Sequence, residues 1–188
     1  MAFCPCPELK NLNSATCDVT KEYEVARAYL GCLSDFTFGT DAEDCYFETI
    51  TATGAIDATL GLVEMQFEGT DIDLKETGAY DKETGKSTWS DQLENFKLYT
   101  ATPEDDKFVR GLLGKEIFII IKLKGKSNDF VFRTAGIGGG MCFVDVNRSV
   151  QQQFWQLTTD GSGEERQLYI LDTDADTTQA LLDTLLRP

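Results

Sequence analysis

Thr102-Pro103-Glu104-Asp105-Asp106-Lys107-Phe108-Val109-Arg110-Gly111-Leu112-Leu113-Gly114 and, after Lys115 and Glu116, the run Ile117-Phe118-Ile119-Ile120-Ile121 are the residues whose reading decides the fold. The first segment reads as a complete helix. Thr102 is suited to cap it, and Pro103 suits the first helical position, where no amide donor is needed. Glu104, Asp105 and Asp106 set negative charge against the positive end of the helix dipole. Phe108, Val109, Leu112 and Leu113 form an apolar stripe at helical spacing, and Gly114 can close the helix in a left-handed conformation. The second segment is continuous, apolar and dense in β-branched residues, which predicts a strand buried on both faces. Polar residues return at Lys122 and Lys124, so one face is expected to reach water there.

Working outward, Trp89 to Thr100 alternates through Leu93, Phe96 and Leu98, with a slip at Asn95 that reads as a bulge. Gly125 to Asp129 reads as a hairpin turn, and Phe130-Val131-Phe132-Arg133-Thr134 as the returning strand. Met141 to Val146 and Gln153 to Thr159 are read as strands. Asp160-Gly161-Ser162-Gly163 is read as a turn, and Arg166 to Leu171 as the strand that closes a final hairpin. On the N-terminal side, Tyr23 to Phe38 admits either a helix over Glu24–Leu30 or a strand. Gly31 and the aromatics that follow favour a strand over Val25–Leu33. Cys45 to Thr53 and Leu60 to Phe67 are read as further strands. Glu68 to Ser87, with Gly69, Gly78 and Gly85, reads as a long connection or a hairpin with a mobile tip. The fold expected is mainly β with one internal α-helix, a β-sandwich or open barrel over residues 22–171. It is flanked by an irregular arm over 1–21 and an acidic tail with a short helix over 172–188.

Composition removes several classes of function. The 188 residues carry 32 acidic against 17 basic side chains, a formal charge of −15, and no histidine. So negative a surface repels nucleic acid. The missing histidine excludes Ser-His, Cys-His and His-metal chemistry. Cys4, Cys6, Cys17, Cys32, Cys45 and Cys142 are expected as thiols, because the start of the chain lacks a basic leader and an apolar run. No stretch reaches the length of a membrane-spanning helix. A zinc site on Cys4, Cys6 and Cys17 has poor spacing and lacks a second pair. Asp172-Thr173-Asp174-Ala175-Asp176 opens like a calcium loop, but Thr177 stands where its glycine belongs and Asp183 where its glutamate belongs. A solvated helix start accounts for the same residues. Gly85-Lys86-Ser87 lacks the upstream glycine and strand of a phosphate loop. Gly136-Ile137-Gly138-Gly139-Gly140 joins strand to strand, so it does not fit a dinucleotide fingerprint. No nucleophile with its base and no metal or cofactor constellation stands out, and an interaction or structural protein is expected rather than an enzyme.

The order of elements, more than any motif, carries a resemblance. Ala26-Arg27-Ala28-Tyr29-Leu30 with Asp35 come early. Thr102-Pro103-Glu104 with Leu112-Leu113, Glu116 to Leu123, and Phe130-Val131-Phe132 follow. The Gly136–Gly140 loop and Gln156-Leu157-Thr158-Thr159-Asp160-Gly161 complete the pattern. From about Val25 to Leu171 this resembles the tail-tube proteins of phages, and in particular small tail or virion structural proteins of phages and prophages of gut bacteria. The cysteine-bearing arm lies outside the pattern.

The resemblance implies a virion location after synthesis in the cytoplasm of a bacterial host, with no cofactor. It implies hexameric rings of this chain, stacked around a channel through which DNA passes without being bound, and contact with other virion proteins. A tail terminator, connector or head-associated protein remains an alternative within the class. A small-ligand-binding β-barrel is an alternative outside it. Assembly contacts are expected at Cys4, Cys6, Cys17, Asp71, Tyr80, Lys86, Gly136, Gly138 and Gly140.

Overall fold

A computed structural model describes residues 24–40, 46–65, 72–94, 96–99, 102–124, 130–137, 141–149, 154–159, 162–163, 168–170 and 174–188. Its first strands are β1 (Glu24–Cys32), β2 (Phe36–Thr40), β3 (Tyr46–Ala52) and β4 (Val63–Met65). A hairpin follows, β5 (Asp73–Asp81) and β6 (Lys86–Glu94), and then β7 (Phe96–Tyr99). Helix α1 spans Pro103–Leu112. The remaining strands are β8 (Glu116–Lys124), β9 (Phe130–Ala135), β10 (Met141–Ser149), β11 (Phe154–Thr159), β12 (Ser162–Gly163) and β13 (Leu168–Ile170), before helix α2 (Ala175–Thr184). The chain is mainly β, with its principal sheet curled into a half-barrel.

β8 is the spine. Successive side chains of a strand point to opposite faces. Here Ile117, Ile119 and Ile121 enter one apolar core, while Phe118 and Ile120 enter another. The first core is filled by Ala28 and Leu30 of β1, Leu93, Phe96, Leu98, Phe143, Trp155 and Leu157, and is covered by Val109 and Leu112 of α1. The second takes Tyr29, Phe36, Ile50, Leu62 and Phe132, and is covered by Leu182 of α2 and by Leu185 just after it. Phe36 and Phe38 meet the Phe118 ring edge-on at 5.4 and 5.0 Å, a favoured aromatic geometry. As the run of residues predicts, the strand emerges at its end: Lys122 is half-buried and Lys124 exposed.

Both edges of β8 are occupied. β1 runs antiparallel along one of them, from Glu24 opposite Lys124 to Cys32 opposite Ile117. The other edge is shared. β9 pairs with Ile119–Lys124, and β10 pairs with Glu116 and Ile117. The sheet forks there, one limb continuing β9-β13-β3-β2 and the other β10-β11-β7. Gly136 sits at the fork with φ of +82°, and a Cβ on it would lie 2.6 Å from the Ile117 carbonyl oxygen. Both the dihedral and the close approach require glycine. Gly114 closes α1 with φ of +71°, as its place in the sequence predicts.

Of the two readings of Glu68–Ser87, a long connection or a hairpin, the described residues show the hairpin of β5 and β6. Other local expectations are corrected. Of the strand expected over Leu60–Phe67, the described residues 60–65 show Val63–Met65 as strand, while Leu62 pairs instead with Leu186 near the C-terminus. Leu168–Ile170, the described part of the 166–171 segment, does not close a hairpin on β11. Both edges of β11 are already taken, by β10 and β7, so β13 inserts between β9 and β3. The slip at Asn95 and the turn at 125–129 lie outside the described residues, as does the arm over 1–21.

The C-terminal segment from Asp174 onward is docked on the sheet. Besides Leu182 and Leu185, Gln179 of α2 donates to the Tyr29 hydroxyl, and Lys122 Nζ donates to Gln179 Oε1 at 3.0 Å. Burial lowers the pKa of Lys122. Leu62 N–H donates to Leu185 O at 2.7 Å, and Arg187 N–H donates to Leu62 O at 3.0 Å. Asp174 caps α2 by accepting from Thr177 N at 2.8 Å and from Thr177 Oγ1 at 2.7 Å.

Gly136→Ala is expected to lower stability by more than about 1 kcal/mol, since the native φ is unsuited to alanine and the carbonyl of β8 stands in the way. Denaturant midpoints measure it. The hydrogen bonds from Thr177, backbone first, hold the Asp174 carboxyl below its ordinary pKa of 3.8. Its contribution to α2 is therefore complete above that value and is lost as pH falls through the lower folded-state pKa. Acid titration followed by circular dichroism should show Asp174→Ala weaker than the parent at neutral pH, with the difference vanishing at the acid end.

Candidate functional site

A strand that gains no burial along half its length needs another reason for being there, and the β5–β6 hairpin contains such a length. Its nine cross-strand pairs run without a break from Asp73 opposite Glu94 to Asp81 opposite Lys86. At the usual rise per residue this is an arm of about 30 Å. The base is held firmly. Ile72, Leu74 and Leu93 pack in the first core, and the buried Leu93 N–H donates to the buried Thr159 Oγ1 at 2.8 Å. β12 pairs with β6 at Ser90 and Asp91, which braces the arm from one side.

Beyond Glu76 the arm leaves the body. Thr77, Gly78, Ala79, Tyr80 and Asp81 are all exposed, so both faces of β5 are wet there. Tyr80, at 65 % exposure, is the most exposed large apolar side chain among the described residues. No described strand pairs with the outer edge of β5. The tip is ordered by its own hydrogen bonds. Gly85, with φ of +67°, donates its N–H to Asp81 O at 2.8 Å. The Asp81 carboxylate accepts from Thr84 Oγ1 at 2.6 Å and from Glu83 N at 2.8 Å, and these bonds, Thr84 first, hold its pKa down. The arm is thus a formed hairpin with a fixed turn.

Of the contact residues expected from sequence, Tyr80 lies on the outer half of this arm and Lys86 opens β6 opposite Asp81. Gly136 is elsewhere, buried at the fork of the sheet. Cys4, Cys6, Cys17, Asp71, Gly138 and Gly140 lie outside the described residues. Cys32 of β1 and Cys142 of β10 flank β8 on opposite sides, opposite Ile117 and Glu116 respectively. Burial pushes the Cys32 thiol up, which disfavours its nucleophilic form.

One cluster had no signature in the sequence. Trp155 Nε1 donates to Asp106 Oδ1 at 2.7 Å, and Arg148 is paired with Asp106 Oδ2 at 2.8 Å. The guanidinium groups of Arg110 and Arg148 lie 5.5 and 5.4 Å from the Trp155 ring, within cation–π range. The sequence showed Asp106 only as a charge at a helix start, and Arg148 and Trp155 only as strand members. Nothing local could have joined residues 49 apart. Comparison with family models, with curated proteins and with solved structures returned no match.

Thr159→Val keeps the shape of the side chain but leaves the buried Leu93 N–H without an acceptor. The expected cost is about 1–3 kcal/mol. Hydrogen exchange should show it first at the base of β5 and β6.

Proposed function

We propose that this protein is a structural subunit of a phage virion, of the tail-tube type, which assembles with copies of itself into rings that stack around a DNA channel. The observation that supports this reading best is the β5–β6 arm. An isolated two-stranded hairpin is marginal in water, and an unpaired strand edge is a template for another strand. Both features are liabilities in a monomer. They become useful where a neighbouring subunit covers the arm and pairs with its edge, as in strand addition between chains.

Two further features agree with it. β8 is sheltered on both faces by side chains, so the body is a packed scaffold on which an arm can be held. The formal charge of −15 suits a channel wall along which DNA moves, because groups that grip phosphates would also slow its passage. On this reading the role is structural rather than catalytic, the ring is hexameric, and the location is the virion.

Purified protein, concentrated stepwise, is expected to form rings of one symmetry by negative-stain microscopy, with a matching mass by light scattering. Excising residues 78–89 and joining Thr77 to Ser90 through an Asn-Gly turn is expected to abolish the rings while leaving the circular dichroism of the body. A parent protein that stays strictly monomeric at high concentration would overturn the proposal.

A further inference from the structure

Gly78 stands in the middle of the wet half of β5, opposite Trp89 of β6. A glycine inside a strand weakens it, since it packs nothing and loses the most freedom on ordering. The ordinary reasons for tolerating one do not apply here. Gly78 does not have a positive φ, so it makes no turn. The register from Asp73 to Asp81 is unbroken, so it makes no bulge. What is left is the close approach of another chain.

The edge of β5 limits what that chain is and how it lies. Successive residues of a strand aim their amide groups to alternate sides, and residues directly opposite in an antiparallel pair must agree in direction. A strand that pairs with a copy of itself is therefore centred on a residue and never between two. Centred on Gly78, β5 sets Lys75 opposite Asp81 of the second copy, and Asp81 opposite its Lys75. Both residues are exposed. The Asp81 carboxylate already accepts from Thr84 and Glu83, and it has lone pairs left for an ammonium group. Centred one residue earlier, on Thr77, Asp81 falls opposite Asp73, and like charges directly opposite are destabilising. Centred one residue later, on Ala79, only Thr77 to Asp81 overlap before the strand ends. The Gly78 register also accounts for Tyr80. It places the exposed Tyr80 diagonal to Gly78 of the second copy, within reach of an aromatic ring, and a ring laid over a strand glycine restores the packing the glycine lacks.

From this we infer that the free edge of β5 pairs antiparallel with β5 of a second copy, about a two-fold axis at Gly78, with Lys75 set against Asp81 on both sides of the axis. The inference rests on the proposed self-assembly and adds to it the partner strand, its direction and its register. The contact is isologous, so the pair is the unit from which a ring of dihedral symmetry is built. The three-stranded sheet β12-β6-β5 then continues into its counterpart, and neither arm keeps an open edge.

The test uses full-length chains. Chains carrying Thr77→Cys are mixed with chains carrying Ala79→Cys and oxidised mildly. Positions 77 and 79 lie directly opposite in the Gly78 register, at a separation a disulfide can span. A 77–79 disulfide, mapped by mass spectrometry, is expected from the mixture and from neither variant alone. Lys75→Glu is expected to raise the concentration for half-association about tenfold, because the symmetry repeats the lost pair. Its circular dichroism should match the parent. Assembly that proceeds without the 77–79 disulfide in the mixture, or with a disulfide from Thr77→Cys alone, would overturn the inference and leave the proposed function standing. A parent chain that never associates would remove both.

Discussion

β8 has no face left for water from Ile117 to Ile121, and most of the architecture follows from keeping that stretch sheltered. Five consecutive large side chains, Ile117 to Ile121, alternate between two cores. Burying each is worth about 1.5–3 kcal/mol, so together they supply on the order of 10 kcal/mol. That is comparable with the net stability of a typical domain. Neither core can be dispensed with. Removing the cover from one face would leave either three isoleucines or Phe118 and Ile120 in water. This explains why a chain with a half-barrel sheet also has two helices, one over each face.

The helices are seated by apolar contact and oriented by polar clamps. α1 lays Val109 and Leu112 on the first core, and Asp106 ties it to β10 and β11 through Arg148 and Trp155. α2 and its C-cap lay Leu182 and Leu185 on the second core, and Gln179 ties the helix to Tyr29 and Lys122. These clamps differ from the surface ion pairs nearby. Arg27 approaches Glu64 at 3.5 Å and Asp183 at 3.6 Å, with all three side chains substantially exposed, and such pairs contribute little in water. The clamps instead bring partly buried groups into definite hydrogen bonds, and they select one orientation of each helix rather than supply the bulk of the stability.

Against this body the β5–β6 arm stands out as the part whose residues gain least from folding alone. Its base shares the first core, its tip is closed by Asp81 and Gly85, and the stretch of β5 between them is wet on both sides. On the proposed function, the exposed outer half of β5 is where a neighbouring copy would cover the arm.

What the sequence determined by itself was local. Pro103 and Gly114 mark the ends of α1, the Ile117–Ile121 run identifies the doubly buried strand, and the return of lysine at 122 and 124 shows where it emerges. Such features are legible because side-chain periodicity is set by the backbone within a few residues. Partnership is a different quantity. The pattern of residues 168–170 says strand, but only the occupied edges of β11 send β13 to lie between β9 and β3. The hairpin at 73–94 was only one of two readings of a polar stretch, because the exposed outer half of β5 lacks the apolar alternation that announces a strand. Trp155 and Asp106, 49 residues apart, and Gln179 and Tyr29, 150 apart, meet only because each helix packs on a face of the sheet and brings them together. Alternation specifies a face, whereas the choice of neighbour depends on which edges remain free once the rest of the chain has packed.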